Sequence, residues 1–285
     1  MDPQGAVERH LGLTGGADVP PKRVTNRKPN LTGRTLIMEY HKLSHRNGEL
    51  DRTPAKFRAD LEKLYKLGYR PVTVSEWLDG KMPLPPGASP VIMTFDDAHP
   101  SQLKFKKDGT LDPNCFVAIW KQFAEKHPDF PVHATFFILP PWPFGQASHI
   151  KDKVKMLQDM GSEVACHTYH HYNLTKLSDE DVKKEIATAL DWLETEFGVT
   201  NTTLAFPYGN KPKNMGLLKG FTYNGKEYHL RAAFVAAGNP ALQPSDPKFD
   251  IWSIPRVVVC EEEGGSSNWI KVMQTSKKYV PYVAP

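Results

Sequence analysis

Two adjacent aspartates, Asp96 and Asp97, follow a run of apolar residues. Residues 91–95 read Val-Ile-Met-Thr-Phe, and a continuous apolar run of this kind is typical of a buried parallel strand. Neighbouring strand residues face opposite sides, so both carboxylates can serve one site only if the backbone turns where the strand ends. The pair indicates either a site at the strand end or, as the ordinary alternative, a cap on the next helix.

Three histidines follow a second predicted strand. Residues 163–166 form this strand, and His167, His170 and His171 come directly after it. Histidines four positions apart can converge on one metal ion, and imidazole with carboxylate is the usual ligand set for zinc or a similar divalent ion. A hydrogen-bonded core or surface histidine is the competing interpretation.

Short apolar runs alternate with amphipathic segments from Thr35 onward, which is typical of a sheet interleaved with helices. The predicted strands are 36–40, 72–74, 91–95, 134–138, 163–166, 203–206, 232–235 and 257–259, and the predicted helices are 54–67, 116–126, one that ends at Gly161, and 179–197. Asn224-Gly225 indicates a hairpin turn. This order predicts an α/β fold: a distorted, incomplete (β/α) barrel of about seven parallel strands in a single domain, with its chemistry where strands end in loops.

Residues 1–33 differ in composition from the rest of the chain. They are rich in Gly, Pro, Lys and Arg and have no apolar periodicity, so we expect an irregular N-terminal lead-in. Residues 34–285 are expected to form the one domain, since α/β barrels often use this length as a single unit.

Composition excludes several classes of function. The net charge of +4 comes from 36 basic and 32 acidic residues without long runs of either sign, so there is no electrostatic argument for a nucleic-acid partner. No stretch approaches the roughly 18 apolar residues of a membrane span. The opening residues lack the pattern of a secretory signal, which does not settle the compartment because a signal is removed from a precursor.

Four motifs, taken in order, resemble the polysaccharide deacetylase family, which is related to the chitooligosaccharide deacetylase of nodulation (NodB homology, carbohydrate esterase family four). They are Thr-Phe-Asp-Asp at 94–97, Ala-Thr-Phe-Phe at 134–137, His-Thr-x-x-His at 167–171 and Phe-Pro-Tyr-Gly at 206–209. The resemblance covers roughly Leu36 to Val259. It implies a metal-dependent hydrolase that removes N-acetyl groups from amino-sugar polymers or oligomers and releases acetate.

The resemblance also implies roles for individual residues. Asp97, His167 and His171 would hold one divalent metal ion, expected to be zinc with cobalt or nickel as alternatives, and His170 is the nearby rival ligand. Asp96 would be the general base that activates the attacking water. The backbone N–H of Tyr208 would help to stabilise the oxyanion, whereas an ordinary proline-containing turn is the competing interpretation.

The chain departs from the family pattern at three places. Ala98 replaces the usual Gly and opens an unusual Lys-rich segment, Ala205 stands where many members carry an Arg that orients the base, and the C-terminal Leu-His-Asp-like motif is missing. The chain resembles a branch of the family that acts on poly-N-acetylglucosamine. The two share a Tyr-His motif on the first strand and a Pro-Arg pair late in the sequence. By this likeness His41 is the candidate general acid and Arg256 supplies the positive charge near Asp96; a buried structural histidine and a structural salt bridge are the alternatives.

Aromatic residues near these motifs are candidates for stacking on sugar rings, although most such residues belong to the core. They are Trp142, Phe144, Tyr169, Tyr172 and Trp252. The expected partner is therefore an N-acetylated glycan. Such polymers lie mostly outside the cytoplasm, which favours an extracellular, cell-surface or periplasmic location.

Two other functions compete with this interpretation. Ala205 and the missing C-terminal motif suggest a non-catalytic carbohydrate-binding protein with the same fold, and a hydrolase of another non-peptide C–N bond is the second alternative. The sequence leaves open which glycan is bound, which metal is physiological and which oligomeric state the protein adopts.

Overall fold

The computed structural model of the chain describes residues 23–46, 48, 50–236, 238–261 and 264–285, so residues 1–22 of the predicted lead-in lie outside the described residues. The strands are β1 Leu36–Tyr40, β2 Lys42–Leu43, β3 Asp51–Arg52, β4 Tyr69–Pro71, β5 Ser89–Phe95, β6 Thr135–Ile138, β7 Glu163–Cys166, β8 Thr203–Ala205, β9 Phe221–Tyr223, β10 Lys226–Tyr228, β11 Ala232–Val235, β12 Ile254–Pro255 and β13 Val257–Val258. The helices are α1 Pro54–Lys66, α2 Val74–Leu78, α3 Phe116–Lys126, α4 Ile150–Asp159, α5 Asp179–Phe197 and α6 Ser266–Thr275.

The main sheet is parallel and almost closes on itself. Its strands follow the order β12-β11-β8-β7-β6-β5-β1-β13, and β4 pairs with the first half of β5. Strands β12 and β13 are separated only by Arg256, and this one segment pairs with β11 through its first half and with β1 through its second. Counted as one strand, it completes a ring with β1, β5, β6, β7, β8 and β11. The predicted distorted barrel of about seven parallel strands is thus confirmed.

The four predicted helices correspond to α1, α3, α4 and α5, whereas α2 and α6 were not predicted. Thr53 caps α1 by accepting a hydrogen bond from the Lys56 N–H, and Pro54 occupies the first turn, where its missing N–H costs nothing. Ser178 caps α5 in the same way, and Gly198 ends this helix in the left-handed conformation. Asn224 and Gly225 both have positive φ and join β9 to β10, so the predicted hairpin turn is confirmed.

The predicted strand at 72–74 is wrong. The strand in this region is β4, and the chain turns into α2 at Val74. The Thr73 side chain accepts a hydrogen bond from the Glu76 N–H while the Glu76 carboxylate accepts one from the Thr73 N–H. This reciprocal capping box stabilises a helix start, which outweighs the strand propensity of the two valines.

The core has two layers. One lies between the sheet and the helices and contains Phe57, Phe95 and Phe116. The other fills the inside of the barrel, with Ile37 of β1, Ile92 of β5 and further apolar residues of the neighbouring strands. Within the described residues, no helix combines the length and the apolar character that crossing a membrane requires.

Candidate active site

Alternate residues of each barrel strand face the inside of the barrel, and the polar residues among them form the site. On β5 the inward-facing series runs from Ile92 through Thr94 to Asp96, and on β1 it runs from Ile37 to Glu39. The inside of the barrel is therefore apolar in the middle and polar at the carboxyl ends of the strands. A parallel sheet brings these ends to one edge, which is where chemistry is found in such barrels.

Asp96 is held by Arg256 in a buried, bidentate ion pair. The two guanidinium nitrogens donate to the two carboxylate oxygens at 2.6 and 2.7 Å, and Arg256 also donates to Thr94 Oγ1 at 3.1 Å and to the Val235 carbonyl at 3.2 Å. Both side chains are almost inaccessible to water. Burial opposes ionisation of Asp96, but the charges of Arg256 and His167 outweigh it and lower the pKa of Asp96. Asp96 is thus kept as a carboxylate.

The Asp97 side chain points in a different direction from the Asp96 side chain. Its φ is 67°, so the strand ends here in the left-handed region, and the two adjacent carboxylates can both face the site. Its Oδ1 lies 3.3 Å from His167 Nε2 and 3.2 Å from His171 Nε2. Burial raises the pKa of Asp97, but the contacts with the two imidazoles lower it by more, so this carboxyl also remains ionised.

The two imidazoles present the nitrogen that a metal would need. His167 Nδ1 lies 2.9 Å from the Ala205 carbonyl, which can only accept, so Nδ1 donates there and Nε2, which faces Asp97, is the nitrogen available to a metal. One ligand atom from each of Asp97, His167 and His171 lies within 4.8 Å of the others. One carboxylate and two imidazoles fit the donor set of a catalytic divalent metal ion.

His170 is turned away from this group. Its Nδ1 lies 2.6 Å from one oxygen of Glu185, and its backbone N–H donates to the other oxygen at 2.8 Å. Glu185 is buried on α5 and therefore fixes the loop between His167 and His171. Thr168 and His171 both have positive φ, a strained conformation for residues with a β-carbon, so this loop depends on such contacts.

His41 reaches the site from the other end of the chain. Its Nε2 lies 3.6 Å from Glu39 Oε1, which in turn lies 3.5 Å from Arg256. Its Nδ1 is buried and has no hydrogen-bond partner among the described residues. Burial lowers the pKa of His41. Burial also raises the pKa of Glu39 to about 7, since Arg256 only partly compensates for the lost hydration.

Tyr208 follows β8 and closes the site next to His171. Its φ is 58°, its ring is 66% exposed, and the ring centroid lies 4.7 Å from that of His171. Gly209 is required here because a β-carbon would come within 2.6 Å of the Ala236 nitrogen. The structure thus brings together all seven residues that the sequence suggested for catalysis and metal binding.

The aromatic candidates divide into exposed and buried residues. Trp142 is 67% exposed and Tyr172 is 52% exposed, on loops that follow β6 and β7. Phe144 is fully buried and is therefore excluded as a stacking surface, because its loop folds back so that its N–H donates to the Ala98 carbonyl at 2.6 Å. Tyr169 and Trp252 are partly buried against the core.

Sequence reasoning missed three buried polar residues near the site: Glu39, Gln102 and Glu185. Glu39 had a signal, since it stands two positions before His41, the residue that follows β1, and residues two apart on an extended chain face the same side. Glu185 is an ordinary helical glutamate in the sequence, and Gln102 lies in a loop. Only tertiary contacts distinguish these two.

Comparison with known proteins agrees with this arrangement. The family model described as Polysaccharide deacetylase matches residues 84–224, just under half of the chain, and these residues include Asp96, Asp97, His167, His171 and Tyr208. No curated protein sequence matches the chain significantly.

Several solved structures share the fold. The deacetylase PplD of Streptococcus pyogenes, solved with acetate, has a TM-score of 0.61 at 18% identity over 85% of this chain and 99% of its own. The polysaccharide deacetylase BC0361 of Bacillus cereus gives 0.59 at 19% identity over 80% and 65%. IcaB of Ammonifex degensii gives 0.58 at 18% identity over 85% and 96%. Residues 84–224 thus match the polysaccharide deacetylase family, and the chain shares its fold with solved deacetylases.

Proposed function

We propose that the protein hydrolyses N-acetyl groups on amino-sugar polymers or oligomers in a metal-dependent reaction that releases acetate. The observation that carries this proposal is the ionised Asp96, paired with Arg256, directly beside the three converging ligands Asp97, His167 and His171. A base next to a metal-binding group is what attack of water on an unreactive amide requires.

Asp97, His167 and His171 would hold one divalent ion, with zinc expected and cobalt or nickel as alternatives. When bound, this ion would polarise the amide carbonyl and lower the pKa of a water molecule. His170 is not proposed as a ligand, since Glu185 holds its ring. The orientation of His167 by the Ala205 carbonyl supports the ligand assignment, because such outer contacts fix the tautomer that binds a metal.

Asp96 is proposed to accept the proton of the attacking water. Arg256 keeps it ionised and fixes both of its oxygens, which is the role that the family resemblance gives to an Arg near position 205. His41 is proposed to protonate the leaving amine, and the orphaned Nδ1 supports this role because a buried donor or acceptor without a partner is costly unless substrate completes it. The backbone N–H of Tyr208 is proposed to donate to the developing oxyanion.

The proposed substrate is an extended glycan. Trp142, Tyr172 and Tyr208 expose aromatic rings on the loops after three consecutive strands, β6, β7 and β8. Exposed rings at the edge of a site suit the apolar faces of sugar rings. The proposal implies that the protein acts outside the cytoplasm, at the cell surface or in the periplasm, where such polymers lie.

Acetate release tests the proposal. The purified protein is incubated with N-acetylglucosamine oligomers and with Zn²⁺, Co²⁺ or Ni²⁺, and the acetate formed is measured for the wild type and for Asp96→Asn. We expect metal-dependent release that the substitution abolishes. No acetate from any acetylated glycan would refute the proposal. In that case, glycan affinity without metal would support the carbohydrate-binding alternative, and hydrolysis of other amides would support the second alternative.

A further inference from the structure

Gln102 lies in the Lys-rich segment that follows Asp97, where the chain departs from the family pattern. Its side chain is fully buried, and its Nε2 donates to the main-chain carbonyls of His41 at 2.6 Å and of Asp96 at 2.5 Å. A single amide group therefore connects the residue after β1 to the residue after β5. These two residues are the proposed general acid and general base.

This connection replaces backbone pairing at the point where pairing stops. Strands β1 and β5 stay in register up to the hydrogen bond from the Asp96 N–H to the Tyr40 carbonyl at 3.0 Å. Beyond it, Asp97 and Ala98 both have positive φ and lead the chain away, so they cannot continue the ladder. Buried carbonyl groups need a hydrogen-bond donor. Gln102 supplies one to the carbonyl of His41, which follows β1, and one to the carbonyl of Asp96, which follows β5.

The direction of the amide is fixed by electrostatics. Gln102 Oε1 is buried without a partner among the described residues, and turning the amide over would place this oxygen against two carbonyl oxygens. The backbone of Gln102 is anchored as well, since its N–H donates to His99 and its carbonyl accepts from Val117 at the start of α3. Its neighbour Ser101 accepts a hydrogen bond from the Leu43 N–H at 2.8 Å, which ties the same loop to β2.

We infer that Gln102, in the unusual loop after Asp97, is a positioning residue that sets the separation of His41 and Asp96. The inference rests on the proposed roles of these two residues. A displacement of about 1 Å in a catalytic group can lower the rate about 100-fold, so loss of the two donors is expected to affect turnover rather than binding.

Gln102→Met tests this because methionine has a similar length but no donor. We expect kcat to fall at least 10-fold with little change in KM and with unchanged metal affinity. The matched control is Gln243→Met: Gln243 is also buried and donates to the Gly33 carbonyl and to Thr35 Oγ1, both before β1 and far from the site. This control is expected to lose stability and to keep its kcat.

A double-mutant cycle shows whether Gln102 acts through His41. If it does, Gln102→Met has little further effect in the His41→Ala background, whereas independent effects multiply. Multiplying effects, or a kcat equal to that of Gln243→Met, would overturn the inference.

A measurement that does not depend on enzymatic activity, the NMR signals of the His41 ring, tests this inference independently of the proposed function. In the zinc-loaded protein with ¹⁵N-labelled histidine, the His41 ring signals are expected to shift or broaden in Gln102→Met and to stay unchanged in Gln243→Met. Unchanged His41 signals in both variants would refute the positioning role. Absence of acetate from the wild type, by contrast, would refute only the proposed function.

Discussion

At the scale of single residues, the site is organised by the contrast between its two aspartates. Asp96 points into the barrel and pairs with Arg256, whereas Asp97 turns outward at a positive φ toward His167 and His171. Adjacent residues of one strand cannot do both unless the backbone changes direction between them. The left-handed turn at Asp97 thus gives two identical side chains different chemistry.

Replacing the proposed base should remove activity and spare metal binding. For Asp96→Asn we expect kcat to fall on the order of 10²- to 10⁴-fold, the usual contribution of a general base, while one metal ion per chain is retained. Acetate release and metal analysis measure the two effects. The exposed Asp108→Asn serves as a control and should behave as the wild type. Full activity of Asp96→Asn would exclude Asp96 as the base.

Arg256→Met should move the pH dependence of activity. Asp96 must be ionised to accept a proton, so activity falls as the pH drops through its pKa. Arg256 lowers that pKa, and its removal should raise it, so the acid limb of kcat/KM is expected to shift to higher pH. Arg70→Met is the matched control, because Arg70 is also buried and pairs with a carboxylate, Asp129, away from the site. An acid limb that stays in place would contradict the assignment of Asp96.

At the scale of secondary-structure elements, loops carry the proposed metal ligands and helices fix the loops. The segment from His167 to His171 leaves β7 with two residues at positive φ, and α5 fixes it through Glu185. The His171 N–H also donates to Thr168 Oγ1 at 3.2 Å within the loop. Strained loop conformations persist only where surrounding contacts determine them.

Glu185→Ala should therefore weaken metal binding although Glu185 touches no ligand atom. We expect the Kd for zinc, measured by calorimetry, to rise by about 10- to 100-fold, as is usual when a supporting contact of a metal site is lost. Glu180→Ala on the same helix is the control, since Glu180 is exposed and pairs with Lys183 at the surface. Equal affinities in the two variants would show that α5 does not support the loop.

The loop after β6 should determine the preference for long substrates. Trp142 is exposed, and its loop is held by the buried Lys153, whose Nζ donates to the carbonyls of Phe144 at 2.8 Å and Gly145 at 2.9 Å. For Trp142→Ala we expect KM to rise for hexamers of N-acetylglucosamine and to change little for dimers. Kinetics over a series of chain lengths measures this, and an equal change at every length would argue against a stacking surface.

At the scale of the whole molecule, the site is complete only when the sheet closes. The segment 254–258 pairs with β11 and then with β1, and the residue at the change of partners is Arg256, which points inward at full burial. His41 comes from the start of the sheet and Arg256 from its end. The proposed base, its charge partner and the proposed acid are thus brought together by closure.

A fragment that contains only the family match should not function. Residues 84–224 include Asp96, Asp97, His167 and His171 but lack β1, β11, β12 and β13. Without these strands the inner face of the sheet loses its neighbours, so we expect non-cooperative thermal unfolding by circular dichroism and no acetate release. A fragment that unfolds cooperatively and retains activity would show that closure is dispensable.

The sequence by itself determined the elements and the motif residues. Apolar runs, caps and turn residues act over a few positions, which is why α3, β7 and β11 have the predicted bounds. The wrong prediction at residues 72–74 also has a local cause, because Thr73 and Glu76 form a capping box that competes with strand propensity. The ligand motifs are local as well, since His167 and His171 share one loop.

Only the tertiary structure decided which distant residues meet. The pairing of Arg256 with Asp96, which the family resemblance indicated but no local pattern encodes, joins positions 160 residues apart, and the contacts of Gln102 with His41 and of Glu185 with His170 join separate elements. No local pattern encodes such contacts, because they depend on how the sheet closes and on which way the chain leaves each strand. The sequence therefore supplied the reactive groups, and closure of the barrel set their ionisation and their separation.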